Sequence, residues 1–230
     1  MVVWHGSAGV FCYDFDGQEL WKKDLGETRH DWGYASSPIL HGTKLILNFG
    51  PGSRTFLAAL DLKRGDLHWK RDEPGGLDAT DKRMVGSWST PIVIKVDGKD
   101  QILCSMPTRV IACDPETGSV LWSCGGLANE KADLVYASPV VSGAIGVAFT
   151  GWVNGPTIGF KMGGSGDVTT SNRLWLEAQQ QRRGMIPRCF SRRMRLDSFT
   201  YCSQIIKSLA MVEMVCKRHD GTTKRVGNAL

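Results

Sequence analysis

The chain has 230 residues, 42% of them hydrophobic and 22% charged, the proportions of a soluble globular protein with a sizeable core. Its net charge of +5 is uneven: residues 176–230 hold eleven Lys/Arg against four Asp/Glu, which leaves 17 basic and 19 acidic residues for 1–175. No run approaches the ~18 apolar residues of a membrane-spanning helix, and seven cysteines at irregular spacing, with no CxxC or vicinal pair, argue against a disulfide framework or a zinc site.

Met1 to Gly6 lacks a basic region followed by an apolar core, so it is not read as a signal peptide; it resembles the middle of a strand. From Val10 a pattern begins that recurs along the chain: an apolar strand, an Asp, a short turn ending in Gly, three residues, then Trp. Its copies carry Asp14, Gly17 and Trp21, then Asp61, Gly65 and Trp69, then Asp114, Gly118 and Trp122. In each the Gly precedes the Trp by four positions. A weaker fourth copy ends at Trp175, its turn expanded into Met162-Gly163-Gly164-Ser165-Gly166-Asp167. The tryptophans are spaced by 48, 53 and 53 residues.

A second marker keeps the same register. Ser36-Ser37-Pro38, Ser89-Thr90-Pro91 and Ala137-Ser138-Pro139 each open an alternating apolar run, and Pro38 to Trp69 and Pro91 to Trp122 both span 31 residues. Within each repeat, Gly and Pro punctuate four short β-rich runs, and residues 1–160 contain no convincing amphipathic helix. Four short strands every ~40–50 residues is the spacing of propeller blades. The expected fold is therefore all-β: an incomplete β-propeller of three to four four-stranded blades. The repeats occupy 1–175, with a partial blade to about residue 26 and blades at 36–72, 88–125 and 136–175.

The repeated residues suit structural work. An Asp at a turn start can accept hydrogen bonds from backbone two residues on, Gly supplies the positive φ such turns need, and a large indole on an outer strand can cover the next blade while its N–H finds an acceptor. Trp32, Trp88, Tyr136 and Trp152 fall outside the pattern. Trp88 and Tyr136 each lie three residues before a strand-opening proline, which places them at one end of neighbouring blades. These four are the candidate binding surface, for a flat ligand or a peptide, with inter-blade packing as the other reading. Asp31, Asp81 and Asp133 are loop acids whose ordinary role is solvated charge. His30, His41 and His68 show no metal-ligand spacing.

Leu60-Asp61-Leu62-Lys63-Arg64-Gly65 with Trp69, and Cys113-Asp114-Pro115-Glu116-Thr117-Gly118 with Trp122, resemble the tryptophan-docking repeat of pyrroloquinoline-quinone-type (PQQ-like) propellers. The resemblance covers about residues 8–175. It implies one of two functional classes: quinoprotein dehydrogenases holding the quinone and calcium at the propeller axis, or non-catalytic scaffolds such as the periplasmic lipoprotein of the outer-membrane β-barrel assembly machinery. The alcohol-oxidising branch carries a vicinal Cys-Cys ring and a Glu/Asn/Asp calcium set, and this sequence matches neither. The expectation is a non-catalytic scaffold or binding module from an exported, periplasmic bacterial protein, with no catalytic residue, metal or cofactor assigned. Its partners would be proteins or the remaining blades of a parent, with no clear nucleic-acid partner. The alternative is a fragment of a PQQ-dependent dehydrogenase, with PQQ and calcium, whose site lies in other blades.

After Trp175 the pattern stops. Residues 176–230 read as a basic tail, irregular or partly helical, with one short helical stretch from Ser203 to Val215. So abrupt a change of composition is what an out-of-frame stretch produces; a genuine basic arm is the other reading. Three to four blades would leave two blade faces uncovered, so the chain is expected to dimerise, to be unstable alone, or to form part of something longer.

Overall fold

The computed structural model describes residues 1–28, 30, 32–52, 54–73, 84–129, 132–151 and 155–177; the basic tail beyond 177 lies outside them. The first sheet has three antiparallel strands, β1 (Val2–Trp4), β2 (Val10–Tyr13) and β3 (Glu19–Lys23). The second is a four-stranded meander of β4 (Ile39–His41), β5 (Lys44–Phe49), β6 (Phe56–Asp61) and β7 (Leu67–Asp72). After β8 (Met84–Ser87) the third sheet follows as β9 (Ile92–Val96), β10 (Lys99–Ser105), β11 (Arg109–Cys113) and β12 (Val120–Gly125). After β13 (Ala132–Val135) come β14 (Val140–Ser142), β15 (Ile145–Phe149) and β16 (Thr157–Lys161). The short strand β17 (Gly166–Asp167), the single-turn helix α1 (Thr169–Asn172) and β18 (Arg173–Glu177) complete the described chain, β18 closing the fourth sheet beside β16.

The central strands are buried on both faces, which is why they read as continuous apolar runs while the flanking strands alternate. Their side chains divide with period two. Leu45, Leu47, Phe56 and Ala58 join Val10 and Trp21 in a core against the first sheet. Ile46, Leu57 and Ala59, pointing the other way, join Ile102, Cys104 and Ile111 in a core against the third. Leu103, Val110 and Ala112 in turn face Ala148, Ile158 and Phe160 of the fourth. Each sheet is thus packed face to face on its successor, the arrangement of an incomplete propeller.

One irregularity recurs in all four sheets. Cys12, Ala59, Ala112 and Gly159 pair with Trp21, Trp69, Trp122 and Trp175, and the register then slips by one residue on the tryptophan strand, so that Leu20, His68, Leu121 and Leu174 are bulged. A bulge bends its strand and re-aims the neighbouring side chain; here that neighbour is the repeat tryptophan.

The expanded turn of the fourth repeat departs from the simple pattern. Part of it, β17, leaves its own sheet and pairs in parallel with β12 of the third, Trp122 opposite Gly166 and Ser123 opposite Asp167.

Candidate functional site

The repeat residues build the joints between sheets. Asp14 Oδ1 accepts from the backbone N–H groups of Asp16 and Gln18, Asp61 Oδ1 from Lys63 and Arg64, and Asp114 Oδ1 from Glu116 and Thr117 at 2.7–3.0 Å. The bond from the Arg64 N–H is the largest influence holding the Asp61 carboxyl below its usual range. Gly65 and Gly118, both at φ +72°, present bare backbone to the preceding sheet's indole: a Cβ on either would meet Trp21 Cε3 or Trp69 Cε3 at 2.5 Å. The same indoles donate to the carbonyl just after the turn's Asp, Trp21 Nε1 to Leu62 O at 3.1 Å and Trp69 Nε1 to Pro115 O at 3.0 Å.

Trp122 behaves differently. The compact turn it would meet is replaced by β17 and α1, and its Nε1 donates instead to Gln101 Oε1 of its own sheet at 2.8 Å, fully buried. Trp175 packs over Gly159 of its own sheet.

The strand-opening Ser/Thr-Pro markers form a second joint. The Ser37 N–H donates to Thr90 Oγ1 at 3.0 Å and the Thr90 N–H to Ser138 Oγ at 2.9 Å, so each repeat's hydroxyl caps the amide of the repeat before it. Beneath this line, Asn48 Nδ2 donates to Ser89 O at 2.9 Å and to Ser87 Oγ at 3.1 Å, and Ser87 Oγ donates to Ser105 O at 2.7 Å, all without access to solvent. Between the second and third sheets Glu73, its side chain fully buried, accepts from Arg71 Nε at 3.0 Å and Arg109 Nη2 at 2.6 Å. His41 and Lys95 both reach the Asp100 carboxylate, at 3.1 and 2.7 Å.

Three of the four aromatics outside the repeat come together; Trp152 lies outside the described residues. They stand beside a pairing the sequence does not announce: β8 and β13, the segments leading into the third and fourth sheets, run parallel with Val85 opposite Asp133 and Ser87 opposite Val135. The ladder continues from the Trp88 N–H to Val135 O at 2.8 Å, and the Tyr136 N–H reaches Thr150 O at 2.7 Å. This fixes the two rings 4.7 Å apart between centroids. Trp88, 5% exposed, donates from Nε1 to Gly33 O at 3.0 Å and so ties down the loop that carries Trp32. Trp32 stacks on Trp88 at 6.3 Å and 28° and approaches Tyr136 at 6.5 Å, while His30 stands edge-on to Trp88 at 4.7 Å. Trp32 is 51% exposed, which makes the cluster a rigid aromatic base with one broad face in water. Burial pushes the Tyr136 phenol up to about 12, so it stays protonated across physiological pH.

Such a surface can stack on a planar group or clasp an apolar side chain. Asp133 lies buried at the foot of the parallel pair and accepts from the Asn129 N–H at 2.9 Å, while Asp31 and Asp81 lie outside the described residues. Among the described residues no group of three or more His, Cys, Asp or Glu side chains could hold a metal ion. No helix of the described residues is long and apolar enough to cross a membrane.

A family model described as outer membrane protein assembly factor BamB matches residues 1–191. Among solved structures, BamB from Moraxella catarrhalis is similar with a TM-score of 0.56 at 16% identity over 76% of this chain and 48% of that one. The chain therefore spans about half the length of that structure. The C-terminal domain of PilY1 from Pseudomonas aeruginosa gives 0.48 at 19% identity over 70% and 38% of the two chains. Quinohemoprotein alcohol dehydrogenase from Comamonas testosteroni gives 0.45 at 18% over 65% and 21%. A comparison with curated proteins finds no match.

Proposed function

Because the chain belongs to the PQQ-like propeller family described as outer membrane protein assembly factor BamB, we propose that it is a non-catalytic scaffold of an exported assembly, and that it binds protein segments across the aromatic cluster of Trp32, Trp88 and Tyr136. The observation that carries this reading is the half-exposed Trp32 ring held on a buried Trp88 by stacking and by the bond from Trp88 Nε1 to Gly33 O. An exposed aromatic on a rigid, desolvated base loses little conformational freedom on binding, the property of an interface anchor. The chemistry best matched to it is an extended peptide with alternating apolar side chains, such as a strand of an outer-membrane protein before it is assembled.

The test is a tryptophan-fluorescence titration with synthetic strands of an outer-membrane β-barrel protein. Saturable binding is expected, weakened by about tenfold or more in Trp32→Ala, the consequence of losing an anchor of ~1.4 kcal/mol or greater. Binding that is equally strong in Trp32→Ala removes the aromatic face from the proposal. Dye-linked alcohol oxidation on adding pyrroloquinoline quinone and calcium overturns the scaffold reading in favour of a dehydrogenase fragment.

A further inference from the structure

The loop that carries Trp32 repeats a device used elsewhere in the chain, with a different acceptor. Asp14 accepts the backbone N–H of Asp16, Asp24 that of Gly26, Asp61 that of Lys63, Asp114 that of Glu116 and Asp167 that of Thr169, all at 2.7–3.0 Å. In each the side chain bonds the amide two residues on, the ordinary Asx turn. At residue 30 the acceptor is an imidazole. The Trp32 N–H donates to His30 Nδ1 at 3.2 Å, and the Gly33 N–H to His30 O at 3.1 Å. Nδ1 of a histidine stands the same number of bonds from Cα as Oδ1 of an Asp or Asn, so the ring closes the same turn.

What the imidazole adds is contact with the aromatic base. Its ring stands edge-on to Trp88 at 4.7 Å and 87°, and to Trp32 at 5.4 Å and 61°. It thus links the buried ring of the cluster to the backbone of the exposed one. The loop is tied on either side of this link. Before it, the Thr28 N–H donates to Ser7 Oγ at 3.0 Å and Thr28 Oγ1 to Pro51 O at 3.1 Å; after it, Trp88 Nε1 donates to Gly33 O. Trp32 stands between these ties. A lone pair on Nδ1 requires that the neutral ring carry its proton on Nε2. The other tautomer and the imidazolium both place an N–H on Nδ1, facing the Trp32 N–H.

We propose that His30 is the positioning residue of the Trp32 anchor: its neutral, Nε2-protonated ring holds the Trp32 amide, and with it the indole, in the orientation presented to a bound peptide strand. The assignment rests on the peptide-binding reading of the aromatic cluster and names the residue that sets it. An aromatic already held in its bound orientation loses less freedom on binding. The acceptor at residue 30 is therefore read in affinity through Trp32, without the imidazole touching the peptide.

The experiment separates the two halves of the side chain. His30→Asn keeps an acceptor in the turn and removes the ring; His30→Phe keeps a ring edge against Trp88 and removes the acceptor. The full chain is used, at a pH of about 8, above the ordinary imidazole range. Hydrogen exchange at the Trp32 amide should quicken in His30→Phe and stay as slow as wild type in His30→Asn. The ring-nitrogen chemical shifts of wild-type His30 should report the proton on Nε2. Binding of the synthetic outer-membrane strand should weaken by roughly three- to tenfold in His30→Phe, the worth of one ordinary hydrogen bond, and return in His30→Asn. In a Trp32→Ala background His30→Phe should cost nothing further, because its effect passes through Trp32. A Trp32 amide that exchanges alike in all three chains, a proton on Nδ1, or a His30→Phe loss that persists without Trp32 overturns the proposal. A wild-type chain that binds no strand peptide overturns the reading on which the proposal rests. That failure is told apart from a failure of His30 by the exchange and the tautomer, which need no peptide.

Discussion

Glu73 keeps its carboxylate wholly out of water, and what makes this tolerable is a pair of guanidinium groups from two different sheets, Arg71 on β7 and Arg109 on β11. Removing one partner of a buried ion cluster is far more damaging than never having built it, because the remaining charges keep their desolvation cost. Glu73→Ala is therefore expected to destabilise the fold by about 3 kcal/mol, read from the shift in urea midpoint at constant slope. The partial exposure of the arginines keeps the figure near the low end of that range. Gly118 offers a second test at this scale. Gly118→Ala adds a methyl 2.5 Å from the Trp69 ring as well as strain at φ +72°, whereas Gly98→Ala at φ +78° meets open space. Both pay for the backbone, by ~1 kcal/mol; Gly118→Ala should cost at least ~1 kcal/mol more, and equal melting temperatures for the two would show that the indole does not press on the turn. The cysteines follow from burial in the same way. Cys104 is pushed up by desolvation, and Cys113 and Cys124 to about 12 and about 11, so iodoacetamide at pH 8 should leave all three unlabelled in the folded protein and modify them after denaturation, as read by peptide mass mapping.

The line of hydroxyls from one repeat to the next belongs to the strand-opening segments rather than to any one residue. Thr90→Val removes the acceptor of the Ser37 amide and keeps the side-chain volume. Hydrogen exchange at Ser37 should accelerate while amides of β10 and β11 keep their protection; unchanged exchange at Ser37 would mean that solvent serves the amide equally well. The repeats themselves were legible in the sequence because their markers are local: an Asp and a Gly a few residues apart, and a Trp four beyond. Their register was legible because Pro38, Pro91 and Pro139 keep step with them. What the spacing could not show is everything decided by partners from distant segments. The parallel pairing of β8 with β13 joins residues 48 apart, such as Val85 and Asp133. The capture of β17 by the third sheet and the turning of Trp122 to Gln101 follow from a loop whose only local sign was its excess of glycine. The gathering of Trp32, Trp88 and Tyr136 was foreshadowed only in part, by Trp88 and Tyr136 holding the same offset from their prolines.

For the molecule as a whole, acid is the informative perturbation. Asp61, Asp100 and Asp167 are held below the ordinary carboxylate range, chiefly by the Arg64 amide, by the hydrogen bond from Lys95 and by the Thr169 hydroxyl respectively. A carboxyl whose folded value is depressed adds stability that is fully present above its unfolded value, about 4. That stability is lost as the pH falls through the lower folded value. The melting temperature should thus be level from pH 7 down to about 5 and decline below about 4, and 0.5 M salt should blunt the Asp100 share because that carboxylate is open to solvent. A decline beginning near pH 6 would point to histidine instead. The joints have a direction as well as a strength. Trp21 finds its acceptor 41 residues later in the chain, Trp69 46 later, and the Ser37 amide 53 later. On a ribosome, therefore, the first two repeats cannot finish folding when they emerge. Each waits for roughly one more repeat to be synthesised, so the nascent protein carries an unfinished sheet at its growing edge, and a pause in translation within the second or third repeat holds open the sheet before it.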